Sequence, residues 1–249
     1  MNKVKLGFFS FTEITDPTQH RAYNEWHQLD HMPEQYPLPG LAFGQRWVCT
    51  PALRAARLVD EAPLDAAHYV TLYLMTDPVE QTLTDFMELG AKLHQLGRFF
   101  QPRVSHLSGP FQFLEAHASP RVLVSPESIA YRPNRGAFVI VEEPTDEDRL
   151  DGFVRELHET HMPALLDVPG VAGAYSFASS PRFGNQGWSK VRRRITVCYL
   201  DDDPLAVTEK IAPLLAARWD GAPVRPLHAG PYATVVPWQW DWFDEPSPS

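Results

Sequence analysis

The chain predicts an α+β protein assembled from two copies of one folding unit. Two observations carry this: an internal repeat, and the order of elements inside each copy. With an offset of 130 positions, FFSFTEITD (8–16) overlies FVIVEEPTD (138–146), with Phe8/Phe138, Glu13/Glu143, Thr15/Thr145 and Asp16/Asp146 identical. The same offset lays HMPEQYPLPGLA (31–42) on HMPALLDVPGVA (161–172), with six identities in twelve. Loops then change the offset, but HYVTLYLMTDP (68–78) answers to RITVCYLDDDP (194–204), and LSGPFQFLE (107–115) to HAGPYATVV (228–236). Self-similarity at a fixed period marks a duplicated unit.

Each copy reads strand, helix, strand, strand, helix, strand. The first strand (about 4–13 and 136–143) is nearly all apolar or aromatic, as expected of a strand covered on both faces. Asp16-Pro17-Thr18-Gln19 starts the first helix with a cap, a proline at the first turn and a capping-box glutamine. His-Met-Pro predicts its end, because a residue before proline is pushed out of helical geometry. Pro39-Gly40 and Pro169-Gly170 turn the chain into strand two. Residues 78–99 and 204–219 read as the second helix. This order is the ferredoxin-like split unit. Its sheet carries helices on one face only, so two such antiparallel sheets packed face to face cover each other, giving an intrachain α+β barrel. The expected division is a first lobe over 1–117, a linker with three prolines over 118–134, a second lobe over 135–243 and a disordered tail over 244–249.

Composition narrows the function. The 249 residues, 44% hydrophobic and 12% aromatic, suffice for a large packed core. A net charge of −9 disfavours nucleic acid and anionic membrane as partners, since both draw on basic surface. The basic run Lys190–Arg194 reads as a solvated strand edge. The apolar N-terminal run stops at Glu13 and reads as a strand rather than a leader. No run approaches the ~18 apolar residues of a membrane helix. Cys49 and Cys198 lie in apolar segments, which suits buried thiols and a cytoplasmic location.

The phrases WH..DHMPE...PG (26–40) and LHETHMPA...PG (157–170) each follow a strand and helix and precede a strand. They resemble the dimeric alpha+beta barrel superfamily, particularly its EthD-like branch, as a tandem fusion covering essentially the whole chain. The resemblance implies the barrel and a range of chemistries: cofactor-free oxygenation, lactone isomerisation, polyketide cyclisation, haem-dependent reactions, or none. Fold does not fix function.

Comparing the copies locates candidate residues. In the second copy Leu150, Phe153, Val154, Leu157 and His161 form one helical stripe. The equivalent positions of the first copy are His20, Tyr23, Asn24, His27 and His31. Burying such polar groups without partners costs roughly 1–3 kcal/mol each, so they satisfy one another or line a ligand cavity. A competing stripe, Ala22, Trp26 and Leu29, would turn His27 to solvent. On the first stripe, His27 is the acid-base candidate, supported by Tyr23 and His31. His20, Asn24, Glu34, Tyr36, His68, Tyr73 and Trp240 are candidate substrate contacts. Trp238, Trp240 and Trp242 alternate and would share one side if the last strand continued.

His27, His31 and Glu34 also have metal-ligand spacing, but Pro33 interrupts them and no His-Glu-x-x-His motif occurs, so no metal site is assigned. No cofactor is assigned either. The resemblance admits haem, with His94 or His106 as axial ligand. No phosphate loop or nucleophile elbow is present. The expected function is a cofactor-independent enzyme (isomerase, cyclase, lyase or monooxygenase) acting by proton transfer on a small hydrophobic aromatic or polyketide-like molecule. The competing functions are a non-catalytic binder of such a molecule, a haem-binding member of the superfamily, and an interaction protein with the histidines facing water. An exposed edge or aromatic surface would allow a homodimer.

Overall fold

The computed structural model describes residues 3–183 and 192–244. The strands are β1 (Val4–Ile14), β2 (Leu41–Val48), a two-residue β3 (Val59–Asp60), β4 (Tyr69–Thr76), β5 (Arg103–Ala118), β6 (Gly136–Pro144), β7 (Val171–Ala178), β8 (Arg194–Leu200) and β9 (Val224–Thr234). The first helical segment is α1 (His20–Trp26), a π turn (His27–His31) and α2 (Met32–Gln35), followed by α3 (Pro51–Ala55) and α4 (Val79–Gln95). In the second lobe α5 (Leu150–Glu156), a π turn (Leu157–His161) and α6 (Met162–Asp167) repeat the first, followed by α7 (Pro204–Trp219). The order β2-β4-β1-β5 recurs as β7-β8-β6-β9, the ferredoxin-like pattern twice over.

The two antiparallel sheets do more than face each other. β5 continues past its own sheet to pair with β7, from Gln112 opposite Ala178 to Ala118 opposite Gly173. At the other edge β2 meets β9, with Trp47 opposite Thr234 and Val48 opposite Ala233. Eight strands therefore close into a barrel, which leaves few edges open to pairing. Alternation along each strand sends one set of side chains inward. Phe9, Phe11, Trp47, Leu72, Val139, Phe177 and Tyr199 are buried in the one core that both lobes share. The segment between the lobes joins it: a helical turn, Pro126–Tyr131, places Ile129 and Ala130 in that core. Cys49 and Cys198 are buried free thiols. Among the described residues no helix is long and apolar enough to cross a membrane.

Three local expectations need correction. The first helix does not end before Pro33. Met32 keeps helical geometry (φ −68°, ψ −42°), and its N–H reaches back five residues to the carbonyl of His27. A proline has no N–H to give and its ring crowds the carbonyl four residues back. Widening the preceding turn by one residue relieves that crowding, and the helix runs on to Gln35. Met162 repeats the bond to Leu157 before Pro163. The chain then turns at Gly40 (φ 83°) and Gly170 (φ 98°), conformations that favour glycine.

Secondly, strand pairing aligns the copies one residue away from the Asp-Pro match. Ser10 faces Thr71 and Ile140 faces Thr196, so Thr71 corresponds to Thr196 and Tyr73 to Cys198. A one-residue slip exchanges the faces of a strand, and it matters below. Thirdly, β9 stops at Thr234, so the tryptophans do not share a side. Trp238 is exposed and Trp240 buried. In the tail, Asp244 ion-pairs with Arg21 at 2.6 Å, and residues 245–249 lie outside the described residues. Lys190 and Val191 also lie outside them, while Arg192, Arg193 and Arg194 pair with Glu147, Glu143 and Glu115.

The inner core predicts single-unit unfolding. The Phe9 ring packs edge-on against Phe177 of the other lobe, with centroids 5.0 Å apart. Phe9→Ala should cost about 3–5 kcal/mol and lower the urea midpoint in one transition seen alike by fluorescence and circular dichroism. Two separated transitions would show that the lobes fold independently.

Candidate active site

The first helical segment presents His20, Tyr23, Asn24, His27 and His31 to its sheet, all buried, while Leu29 is 42% exposed and Ala22 faces solvent. The competing stripe is thereby excluded. Beneath the π turn lies a cavity of about 350 Å³ between the helix, the outer face of the first sheet and α4. Tyr23, His27 and His31 form its roof, with Gln35 one turn on. Alternation supplies the floor: Phe8, Ser10 and Thr12 of β1, and Thr71 and Tyr73 of β4, are the residues of those strands that point away from the barrel core. Arg103 and Ser105 close one side from β5, and Phe86 and Met87 the other from α4.

Five polar atoms of this wall are buried without a hydrogen-bond partner: Nδ1 of His27 and of His31, Oε1 of Gln35, Oγ1 of Thr71 and the Tyr73 hydroxyl. Each costs free energy unless something in the cavity pairs with it. The second lobe keeps part of this set, with His161 at the position of His31 and Thr196 at that of Thr71, its Oγ1 likewise unpartnered, but loses the rest. Its counterparts to Ser10, Tyr23, His27, Tyr73 and Arg103 are Ile140, Phe153, Leu157, Cys198 and Val224. There Ile140 and Cys198 pack in a hydrophobic cluster with Met162 and Leu165. A smaller cleft of about 240 Å³ remains beside Leu150, Phe153 and Val154. Its carboxylates are already paired, Glu142 with Arg218 at 2.5 Å and Glu143 with Arg225 at 2.5 Å.

Electrostatics sharpen the difference. Burial holds the His27 imidazole well below its usual pKa, and Arg46, His31 and Arg103 push it further the same way. Burial, then Arg103, brings His31 down to about 4. Both rings are thus neutral near neutral pH, His31 stacked on Trp26 with centroids 4.6 Å apart. Burial drives the Tyr73 phenol upward, so its proton stays available for donation. Arg46 is itself buried, with Nη2 donating to Asn24 Oδ1 at 2.8 Å and Nη1 to Gln28 Oε1 at 3.1 Å. Neither Arg46 nor Arg103 has a carboxylate partner among the described residues. Arg103 is held instead over the rings of Phe99 (5.0 Å) and Trp26 (5.5 Å), and by Ser105. Two unneutralised guanidinium groups beside two neutral imidazoles make a positive field with proton acceptors in it.

The other sequence candidates lie elsewhere. His20, Asn24 and His68 belong to a neighbouring, internally satisfied cluster. Tyr69 Oη is hydrogen-bonded with His20 Nδ1 at 3.0 Å and accepts from Asn24 Nδ2 at 2.9 Å, and His68 Nδ1 accepts from the Ile14 N–H. Phe243 stacks on His20 at 3.7 Å, and Trp240 is buried nearby among Ile14, Val48 and Val235, away from the cavity. Glu34 is drawn off to Arg98 at 2.7 Å, so the His27-His31-Glu34 metal set does not assemble. Tyr36 is 48% exposed. His94 is exposed on α4, and His106 is bound to Glu13 at 2.7 Å. Arg46, Gln35, Thr71 and Arg103 are wall or field residues that the sequence comparison passes over. Of these only Arg46 carries a signal, as a lone charge in the otherwise uncharged LAFGQRWV.

No family model and no curated protein matches the chain. Solved structures do. A chlorite dismutase from Candidatus Nitrospira defluvii superposes over 98% of this chain and 94% of its own at 13% identity, with a TM-score of 0.56. An anthrone oxidase-like protein matches over 93% and 92% at 10% identity (TM-score 0.53), and a protein described as a monooxygenase from Fusobacterium nucleatum over 95% and 94% at 8% identity (TM-score 0.53). The likeness is one of fold. It spans the full two-lobed barrel and assigns no residue a role.

The lowered histidines make stability pH-dependent. His20, His31 and His68, each brought to about 4 chiefly by burial, are neutral in the folded chain, whereas the unfolded chain protonates near 6.5. The unfolded state therefore binds more protons between these values, and stability complete above about pH 6.5 is lost as pH falls towards 4. For His31 the loss approaches about 3 kcal/mol. His31→Gln should flatten the denaturation-midpoint profile over that window; an unchanged slope would show that His31 titrates freely.

Proposed function

We propose that the first-lobe cavity is the active site of an enzyme that moves a proton on a small, largely planar hydrophobic substrate whose oxygen gains negative charge during reaction. The observation that supports this is one cavity lined by five residues that carry an orphaned buried polar atom, three of which, His27, Gln35 and Tyr73, are replaced by Leu157, Leu165 and Cys198 in the second lobe. A volume of about 350 Å³ lies near the lower end of ligand pockets, ~300–1,000 Å³. Phe8, Phe86, Met87 and Phe99 supply flat apolar contact for an aromatic or polyketide-like ring.

In this reading His27 is the base. A buried imidazole that also feels the Arg46 and Arg103 charges resists protonation while the cavity holds no negative charge. When it takes a proton from the substrate, the anion created in the same step pairs with the imidazolium, Arg103 and the Tyr73 hydroxyl. His31 fixes the roof by its stack on Trp26, and Arg46 sustains the field from behind Tyr23, 5.2 Å from that ring. Return of the proton to another atom is isomerisation; loss of a group or attack on a second carbonyl is elimination or cyclisation. Proteins of this fold that are named as a monooxygenase and as anthrone oxidase-like keep oxygenation among the classes.

Haem is the second reading, favoured by the unpartnered imidazoles of His27 and His31, donors that iron accepts. The donors suit, but a cavity of about 350 Å³ encloses one or two fused rings more readily than a whole tetrapyrrole. No step is routed through it.

Addition of aromatic acids and enolisable ketones to the protein, followed by histidine NMR, should raise the His27 pKa on binding of the right compound. His27→Phe should keep affinity within a few-fold and lower turnover by about 10²–10⁴-fold. Retained binding with no turnover in the wild type would leave a carrier protein, and a Soret band abolished by His27→Ala on hemin addition would establish the haem reading.

A further inference from the structure

A second cluster lies where the end of β5, from the first lobe, crosses onto the second, apart from the cavity. Glu115 and His117 stand two apart near the end of β5, so both side chains fall on one face. That face looks onto the second π turn, which carries His158. Oε2 of Glu115 lies 3.1 Å from Nε2 of His117 and 3.0 Å from Nδ1 of His158. All three atoms fall within 4.8 Å of one another. Nε2 of His117 is buried and has no hydrogen-bond partner despite that short approach. Carboxylate and ring therefore meet at close range, and against the opposing effect of burial His117 helps hold the Glu115 carboxyl below its usual pKa.

We infer that Glu115, His117 and His158 form a binding site for one divalent transition-metal ion, coordinated by two imidazoles and one carboxylate. Ligands about 2.1 Å from a common ion and at right angles to each other stand about 3.0 Å apart, which is the spacing of both nitrogen–oxygen pairs. Imidazole and carboxylate together suit zinc, iron(II) or cobalt(II), and three protein ligands leave positions open to water. The other carboxylate oxygen, Oε1, is held by Arg194 at 2.8 Å, which orients the carboxylate and leaves Oε2 for the ion. His158 is half-buried, so an ion can enter from solvent. The equivalent seam on the other side of the barrel has no such set: continuing the alignment of β5 with β9 puts Val236 and Trp238 at the positions of Glu115 and His117, and Gln28 stands at that of His158. A bound ion would tie the strand that joins the lobes to the second-lobe helix.

The test uses the full chain, stripped with chelator and titrated with cobalt(II) and zinc(II). One equivalent of cobalt(II) should give visible ligand-field bands. Zinc(II) should displace it, shift the imidazole resonances of His117 and His158, and raise the thermal midpoint. His158→Ala and Glu115→Gln should each weaken binding at least tenfold, whereas His94→Ala, on the exposed face of α4, should leave it unchanged. Absence of cobalt bands, or stoichiometric binding that persists in His158→Ala, would overturn the site. If either variant fails to fold by circular dichroism, the zinc-induced shifts of the wild-type imidazoles decide: shifts at other histidines alone reject the proposal.

Discussion

Mutual burial of the two inner sheet faces is the constraint on which the rest of the molecule depends. Once Phe9, Trp47, Phe177 and Tyr199 share one core, the inward half of every strand is committed to packing, and only the outward half can vary. Helices cover that outward half, so any ligand chamber must form between a helix and the outside of the barrel. The chamber in the first lobe follows from this geometry, because removing apolar bulk from the outer face opens space without disturbing the core.

The fold was legible in the sequence because the repeated element order gave two readings of each element, and the shared offset of 130 survives in the paired helices and in β2 and β7. The polar stripe was legible for the same reason: the Leu157 stripe reports which face of the helix is covered, and His27 inherits that face. Other features were not legible, for physical reasons. Helix termination before Pro33 is a local rule, and a wider turn can satisfy the same steric demand. Arg103 begins its strand with no pattern around it, and only the closed barrel shows that it borders the cavity. His20 and His68 look alike in sequence to His27, but Tyr69 and the C-terminal aromatic residues satisfy and cover them. Glu34 is claimed by an arginine 64 positions away in the chain, Arg98.

The lobes also divide their charges differently. In the second, Glu142 and Arg218 neutralise one another under the helix, and Trp219 donates to Glu142 at 2.7 Å. In the first, Thr12 occupies the position of Glu142, and the cations Arg46 and Arg103 are met by amide, hydroxyl and ring faces instead of carboxylate. Such groups hold a guanidinium in place without cancelling its charge. The field therefore remains for whatever enters, and it adds to the burial that keeps the imidazoles neutral.

The π turn is a consequence of sequence before it is a device of the site. It is present in both halves at the same place, before the same proline, although the residue above the sheet is His27 in one and Leu157 in the other. The proline therefore sets the backbone, and the side chain carried on the widened turn decides what that backbone offers. One kink serves as a roof for polar groups in the first half and as hydrocarbon packing in the second.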